Sequence, residues 1–293
     1  MPGRAQRSTP AISDSPFPFV QFEFGFPLGP DDGRYLRRTG EERTPERVIV
    51  VNTLGASQRR LLGRSGKKPT AVDGAEEAAA VPVSRATLIR AEPMPSAEEA
   101  ERWLEGLRRD PAALDTEVDA AALELNSVLR AHRAAAADPY AREVSRSVAN
   151  VVRVGYGSGD QVADGRFAAA YELPEGARRG GKRAEAMAPL ERLAAVLSGT
   201  EEVGVAEELV LRARLDLECA RPREAALQAR IALEALLVEI PTEHAGELPS
   251  YRQTVGEAAN AALLGELTPE LASAVAEAVL EMRRALRRAS GRF

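Results

Sequence analysis

The chain has 293 residues, a formal net charge of −5, and 44% hydrophobic and 28% charged residues, enough for a sizeable core and for more than one average domain. The acidic balance argues against general affinity for nucleic acid, and the absence of any run of about eighteen apolar residues argues against a membrane span. One cysteine, Cys219, and two histidines exclude a disulfide framework or a cysteine metal site within one chain.

Met1-Pro-Gly-Arg-Ala-Gln-Arg7 lacks the apolar region of a signal peptide, so residues 1–15 are expected to form a disordered tail and the protein to be cytoplasmic. Only Lys67, Lys68 and Lys182 are lysines, an arginine bias that fits a high-GC genome. From Val20 the pattern alternates, with Val20, Phe22, Phe24 and Phe26 on one side and Gln21 and Glu23 on the other, the mark of a half-buried strand. Turn formers fill residues 27–33, after which Tyr35-Leu-Arg-Arg38 can return as its hairpin partner. Strands are also expected over Arg47–Val51 and Val83–Ala91. Between them, residues 57–80 lack any sustained period and read as a loop or linker. Its basic residues lack the interleaved aromatics of a nucleic-acid surface.

Ser96-Ala-Glu-Glu99 is a capping box for a helix to about Arg109. This completes a small α+β unit over 16–109. From Asp110 a helical domain is expected to run to residue 293. Asp110-Pro111 starts a helix whose stripe is Leu114, Val118, Ala121, Leu125, Val128 and His132, and Asp138-Pro139 starts a second with Tyr140, Val144, Val148 and Val151 in period. A further helix is expected from about Lys182 to Leu197, ending at Gly199.

The central element is an αα-hairpin over 205–240. Its first helix places Leu209, Ala213, Leu217 and Ala220 on one stripe, with Glu207, Glu208, Arg214 and Glu218 opposite. Its second starts at Pro222 and carries two stripes. Ala226, Ala229, Leu233, Leu236, Leu237 and Ile240 form one, and Leu227, Ile231 and Val238 the other, so burial on more than one side is expected. Ser250-Tyr-Arg-Gln253 reads as a capping box. The last helix starts at Thr268-Pro269, packs through Leu271, Val275, Ala278, Met282 and Leu286, and ends in Arg283, Arg284, Arg287 and Arg288, which are expected to be solvated and to meet an acidic partner. Its stripe also fits a coiled-coil seam, so a homo-oligomer is a second way to cover it.

The stretch with a chemical look is Val151-Val-Arg-Val-Gly-Tyr-Gly-Ser-Gly159. It resembles the first motif of class I methyltransferases, and that resemblance implies S-adenosylmethionine held over Gly155, Gly157 and Gly159. The sequence departs from that motif in having Arg153 where the family holds an acidic residue. Only Glu172 follows as a candidate for the second acidic position. The competing reading is a helix ending at glycine before an ordered loop. His132 is expected to be a hydrogen-bonded core histidine and His244 a loop residue. Neither has the Arg-to-His spacing of HEPN ribonucleases, and no G-x-S-x-G elbow occurs. The hairpin is similar to a single tetratricopeptide repeat through Ala213, Ala225 and Ala232, without that motif's aromatic positions. Asp138–Leu173 and Arg221-Pro-Arg-Glu-Ala-Ala-Leu-Gln228 together resemble an uncharacterised family of proteins from high-GC actinobacteria, a resemblance that implies no activity.

The expectation is therefore an α+β protein of interaction or scaffolding type. It would bind a protein partner through helical surfaces, with no cofactor, metal or catalytic residue assigned and with the methyltransferase-like protein as the alternative.

Overall fold

The computed structural model describes residues 15–39, 44–55, 83–174 and 188–289. The expected tail, apart from Ser15, and the loop over 57–80 lie outside the described residues. The fold is α+β: a six-stranded antiparallel sheet lies in the N-terminal half, and the C-terminal half is mainly helical. The chain divides into two compact units, residues 1–180 and 181–293.

In the first unit β1 (Phe17–Phe24), β2 (Gly33–Thr39), β3 (Thr44–Leu54), β4 (Val83–Arg90), β5 (Val151–Gly157) and β6 (Ala169–Glu172) are ordered β2-β3-β4-β1-β5-β6. β2 does not return along β1 as the short turn suggested. It pairs with β3, and β1 is flanked by β4 and β5. The alternating residues Val20, Phe22 and Phe24 join Ile49, Val51, Leu88, Val152 and Val154 on one face of the sheet. Two helices cover that face, α1 (Ala97–Arg109) and α2 (Pro111–Ala136). Ser96 accepts from the Glu99 amide, and Asp110 from the amides of Ala112 and Ala113, so both expected helix starts are present with their caps.

The boundary expected at 110 moves to 180 because the stripe of α2, Leu114, Val118, Ala121, Leu125 and Leu129, completes the core under the sheet. The helix expected after Asp138 is absent. A loop and a short 3-10 turn, Arg146–Val148, stand there instead. Buried Asn126 holds this loop to α2, its amide donating to the Val144 carbonyl at 2.9 Å and its oxygen accepting from the Val144 N–H at 2.8 Å. One side chain thus reproduces a strand-like pair and removes the loop's need for helix. At the sheet margin α2 presents Glu117 and Glu124 to Arg47 and Arg90. Burial pushes the Glu124 carboxyl above its ordinary range against the pull of Arg47 and Arg37.

The second face of the sheet is covered as well. α3 (Gly159–Ala163) places Val162 and Ala163 over Phe19, Val50 and Ile89. The half-buried strand is therefore buried on both sides, with Gln21 only 1% exposed.

The second unit contains α4 (Ala188–Leu197), α5 (Val205–Glu218), α6 (Pro222–Glu239), the single turn α7 (Thr242–Ala245), α8 (Tyr251–Leu264) and α9 (Pro269–Ala289). Start residues 182–187 of the expected first helix lie outside the described residues. Its end is in place, with Gly199 at φ +73. Helices α5, α6, α8 and α9 share one core built largely from alanine: Ala213, Ala225, Ala226, Ala229, Ala232, Ala258, Ala262, Ala278 and Ala285, with Leu233, Leu236, Val275 and Met282 among them. Small side chains let the helix backbones approach closely.

The hairpin is closed at both ends. At the turn the Arg221 guanidinium meets Asp216 at 2.6 Å, both side chains being nearly buried. At the open end the Glu239 carboxylate accepts from the Ala206 N–H at 3.1 and 3.2 Å and so caps α5 from the far end of α6. The inward face of α5 is rotated from the expected stripe, with Ala206, Val210, Ala213 and Asp216 buried and Leu209 and Leu217 only partly so. On α6 the first stripe is the core face. The second is divided, with Leu227 packed against the core and Ile231 58% and Val238 85% exposed. The box at Ser250 is not formed: its hydroxyl donates to the Glu247 carbonyl and Gln253 bonds Glu257. The terminal helix is covered within the unit, with Val275, Ala278 and Met282 fully buried.

Leu233→Ala should cost about 2–5 kcal/mol in chemical denaturation, as a large-to-small change in a packed core does. Ile231→Ala, two positions away on the outer stripe, should change stability by no more than about 0.5 kcal/mol. Equal losses would show that the outer stripe is covered.

Candidate functional site

Helix α9 turns its apolar residues into the core and carries Arg283 and Arg287, one turn apart, toward α5. Arg214 comes from α5. The three guanidiniums line a groove of about 390 Å³ whose floor includes Val210 and Leu286 and whose far end carries Arg192, Glu201, Glu202 and Glu207. The two ends differ in electrostatics. At the far end Arg192 forks onto Glu207 and bonds Glu201 at 2.8 Å. Hydrogen bonding to Glu207 is the main cause that holds Arg192 above its ordinary value. At the near end Arg283 is pushed below its ordinary value by burial first and then by Arg214 and Arg287, with Glu218 pulling the other way. Glu218 itself accepts from Arg214 at 2.6 Å. Burial is thus the main cause of the Arg283 shift, and the neighbouring Arg214 is itself balanced by Glu218.

The four arginines expected to act together are split by the helix period. Arg283 and Arg287 line the groove. Arg284 and Arg288 both bond Glu281, at 3.3 and 2.8 Å, and Arg288 also donates to the His244 carbonyl at 3.2 Å. Arg288 clasps α9 to the α7 turn, where a Cβ at Gly246 would lie 2.9 Å from its guanidinium, while Arg284 pairs within α9. Burial by itself would push Glu281 up, yet hydrogen bonds from Arg288 and Arg284 hold its carboxyl below the ordinary range. The sequence places Arg214 opposite the apolar stripe of its helix. Its charge was visible in the sequence, but only the packing of α9 beside α5 shows that it belongs with Arg283.

The glycine stretch is a strand and not a helix end. Gly155 and Gly157 belong to β5, and Gly159 opens α3. A Cβ at Gly155 would lie 2.3 Å from the Ala169 carbonyl oxygen, and one at Gly157 2.9 Å from the Phe167 backbone, while Gly159 faces the Phe17 ring at 3.4 Å. The space that these glycines leave is taken up by the protein's own β6 hairpin and β1. Arg153 donates to Glu23 at 2.8 Å, Gln21 at 3.1 Å and Glu172 at 3.0 Å. Both motif positions, Arg153 and Glu172, are thus cross-strand partners. Among the described residues every strand pair is antiparallel, whereas the doubly wound fold binds its ligands beyond the ends of parallel strands. His132 is half-buried with its ring against Gly29, and His244 lies in the α7 turn.

Among the described residues no group of three or more His, Cys, Asp or Glu side chains is placed to hold a metal ion, and no helix is long and apolar enough to cross a membrane. Comparison of the chain with protein-family models, with curated proteins and with solved structures finds no match, so the groove is interpreted from its own geometry.

Gly155→Ala should destabilise the first unit by about 1–3 kcal/mol through overpacking. Gly106→Ala in α1, where nothing lies within 4 Å of the added carbon, should stabilise by about 0.5–1 kcal/mol. Thermal or urea melts of the two variants check the pair, and no loss at Gly155 would mean that β6 does not close over it. A second outcome concerns pH. Because the Glu281 carboxyl is held low in the folded protein, its contribution is present above the unfolded carboxylate range and is lost as pH falls through its folded value. Glu281→Gln should therefore lower the urea midpoint at pH 7 and bring variant and parent together in acid. A gap that stays constant with pH would remove Glu281 from the clasp.

Proposed function

We propose that this chain is a non-enzymatic cytoplasmic interaction or scaffolding protein that binds a protein partner through the helical surfaces of its C-terminal unit. The observation that carries this reading is the outer side of the α5–α6 hairpin. Leu211 and Leu215 on α5 and Ile231 and Val238 on α6 are all more than 40% exposed, while alanine fills the inside. A hairpin that leaves four bulky apolar side chains exposed offers apolar surface to another protein, the kind of surface that marks such contacts on soluble proteins. Charged side chains flank the row: Glu208 with Arg212 on α5, and Glu234 with Arg252 on the neighbouring α8. This is the arrangement of an interface with an apolar centre and a polar rim.

The test is a double substitution, Ile231→Glu with Val238→Glu, measured against a partner isolated from the native host and then purified. Both side chains are already exposed, so the melting temperature should stay within a few degrees of the parent. Binding should fall by at least about tenfold, as loss of central apolar contacts does. Retained affinity, or hydrogen-exchange protection confined to the N-terminal unit, would sink the reading.

A further inference from the structure

We infer that the groove between α1 and the free edge of β6 takes an extended, basic segment of a partner protein, which adds to β6 as a further strand and sets an arginine or lysine beside Tyr156 and Glu101. The site belongs to the N-terminal unit, so it stands apart from the reading of the hairpin.

The two edges of the sheet differ in what they offer. β2 carries Arg34, Arg37 and Arg38 within seven residues, and charge on an edge strand keeps other chains from pairing with it. β6 offers Ala169, Ala170 and Tyr171, and its one charged residue, Glu172, is already held by Arg153. Helix α1 lies beside it, with the Arg108 guanidinium 5.4 Å from the centre of the Tyr171 ring. Between helix and strand is a groove of about 580 Å³, with Tyr156 and Ala169 on the sheet side and one flank of α1 on the other. An edge strand that faces a helix across a groove suits a peptide bound as an added strand, in which main-chain hydrogen bonds supply affinity and pockets for alternate side chains supply specificity.

The four residues of β6 provide few main-chain bonds, so the groove has to contribute. Tyr156 is its first contribution. The ring belongs to the core and the residue is only 8% exposed, yet its hydroxyl has no hydrogen-bond partner among the described residues, and what stays accessible of it lines the groove. A buried tyrosine hydroxyl usually has a partner, and here the open side from which one can arrive is the groove. Charge is the second contribution. Arg102 is paired with Glu99 at 3.6 Å, and Arg108 and Arg109 are both paired with Glu105, at 3.6 and 2.9 Å. The cations of this flank are therefore balanced within the helix. Glu98 and Glu101 line the same groove and stand outside every ion pair among the described residues. Their negative charge selects a cationic side chain, whose N–H groups can be shared between the Glu101 carboxylate and the phenolic oxygen. An anionic ligand, nucleic acid included, is repelled there.

The test uses the full chain and a fluorescently labelled peptide, blocked at both termini, of alternating threonine and valine with one central arginine. Anisotropy should show saturable binding below millimolar peptide. Citrulline in place of the arginine keeps the shape and removes the charge, and should weaken binding at least about fivefold. N-methylation of one alternate set of peptide amides should abolish binding while methylation of the other set is tolerated, because only one set of an added strand faces β6. Glu101→Gln and Tyr156→Phe should each weaken the arginine peptide about two- to fivefold. Glu92→Gln, an exposed acid outside the groove, should change nothing, and circular dichroism melts establish that each variant is folded.

Absence of binding at millimolar peptide, equal binding of the citrulline peptide, or equal effects of the two methylated sets would overturn the inference. Loss of the peptide on Ile231→Glu with Val238→Glu would overturn it in favour of a site on the hairpin, whereas unchanged peptide affinity in that variant leaves the two surfaces independent, as proposed. A chain already dimeric by sedimentation, with the β6 amides protected from exchange only in the dimer, would overturn it in favour of a second copy of this chain.

Discussion

A single amide, at Gln21, sits at the centre of a strand that is paired along both edges and covered on both faces. Buried among backbone already committed to the sheet, it has to find its partners among neighbouring side chains, since an unmet buried polar group costs about 1–3 kcal/mol. Its nitrogen donates to Thr87 at 3.0 Å and its oxygen accepts from Arg153. Arg153 brings a charge that must itself be balanced, and Glu23 and Glu172 supply this from the two flanking strands. Arg85 then completes Glu23 from β4. Four strands are locked in register by this chain of consequences, because sliding any of them by one residue would turn its polar members to the opposite face.

The helical unit follows a different logic. Alanine contacts bring the backbones near but bury less apolar area per residue than leucine would, so the hairpin depends on specific closures at its ends, Asp216 with Arg221 and Glu239 with the start of α5. Other large apolar side chains, Leu211, Leu215, Ile231 and Val238, are left exposed on the two helices. The same choice of small residues that sets the helix spacing leaves α5 and α6 with material for contact with another molecule.

Much of this was legible in order along the chain. The caps at Ser96 and Asp110, Pro222 as the first residue of α6 and the inward face of α9 are local signals, and local physics placed them. What could not be read depended on neighbours distant in sequence. β5 looks like a helix end followed by glycines until its pairing with β1 is known, and α2 looks like the start of a new domain until the sheet above it is known. The outer stripe of α6 has the period of a buried one, and period alone does not say whether the protein or a partner covers it. At the groove, the helical repeat already implied that Arg283 and Arg287 share a side and that Arg284 and Arg288 point elsewhere. Arg214 required the tertiary packing.

The strand order also has a consequence for how the chain is made. β1 carries Phe17, Phe19, Phe22 and Phe24, yet its two neighbours are β4, beginning at Val83, and β5, ending at Gly157. On the ribosome this aromatic strand therefore emerges before both neighbours and waits for more than a hundred further residues before its second edge is paired. Pairings so distant in sequence form slowly and leave strand edges exposed in the meantime, whereas the hairpin of α5 and α6 closes through contacts only a few dozen residues apart. Aggregation during synthesis is consequently a hazard of the N-terminal unit, and it is greatest before β5 has left the exit tunnel.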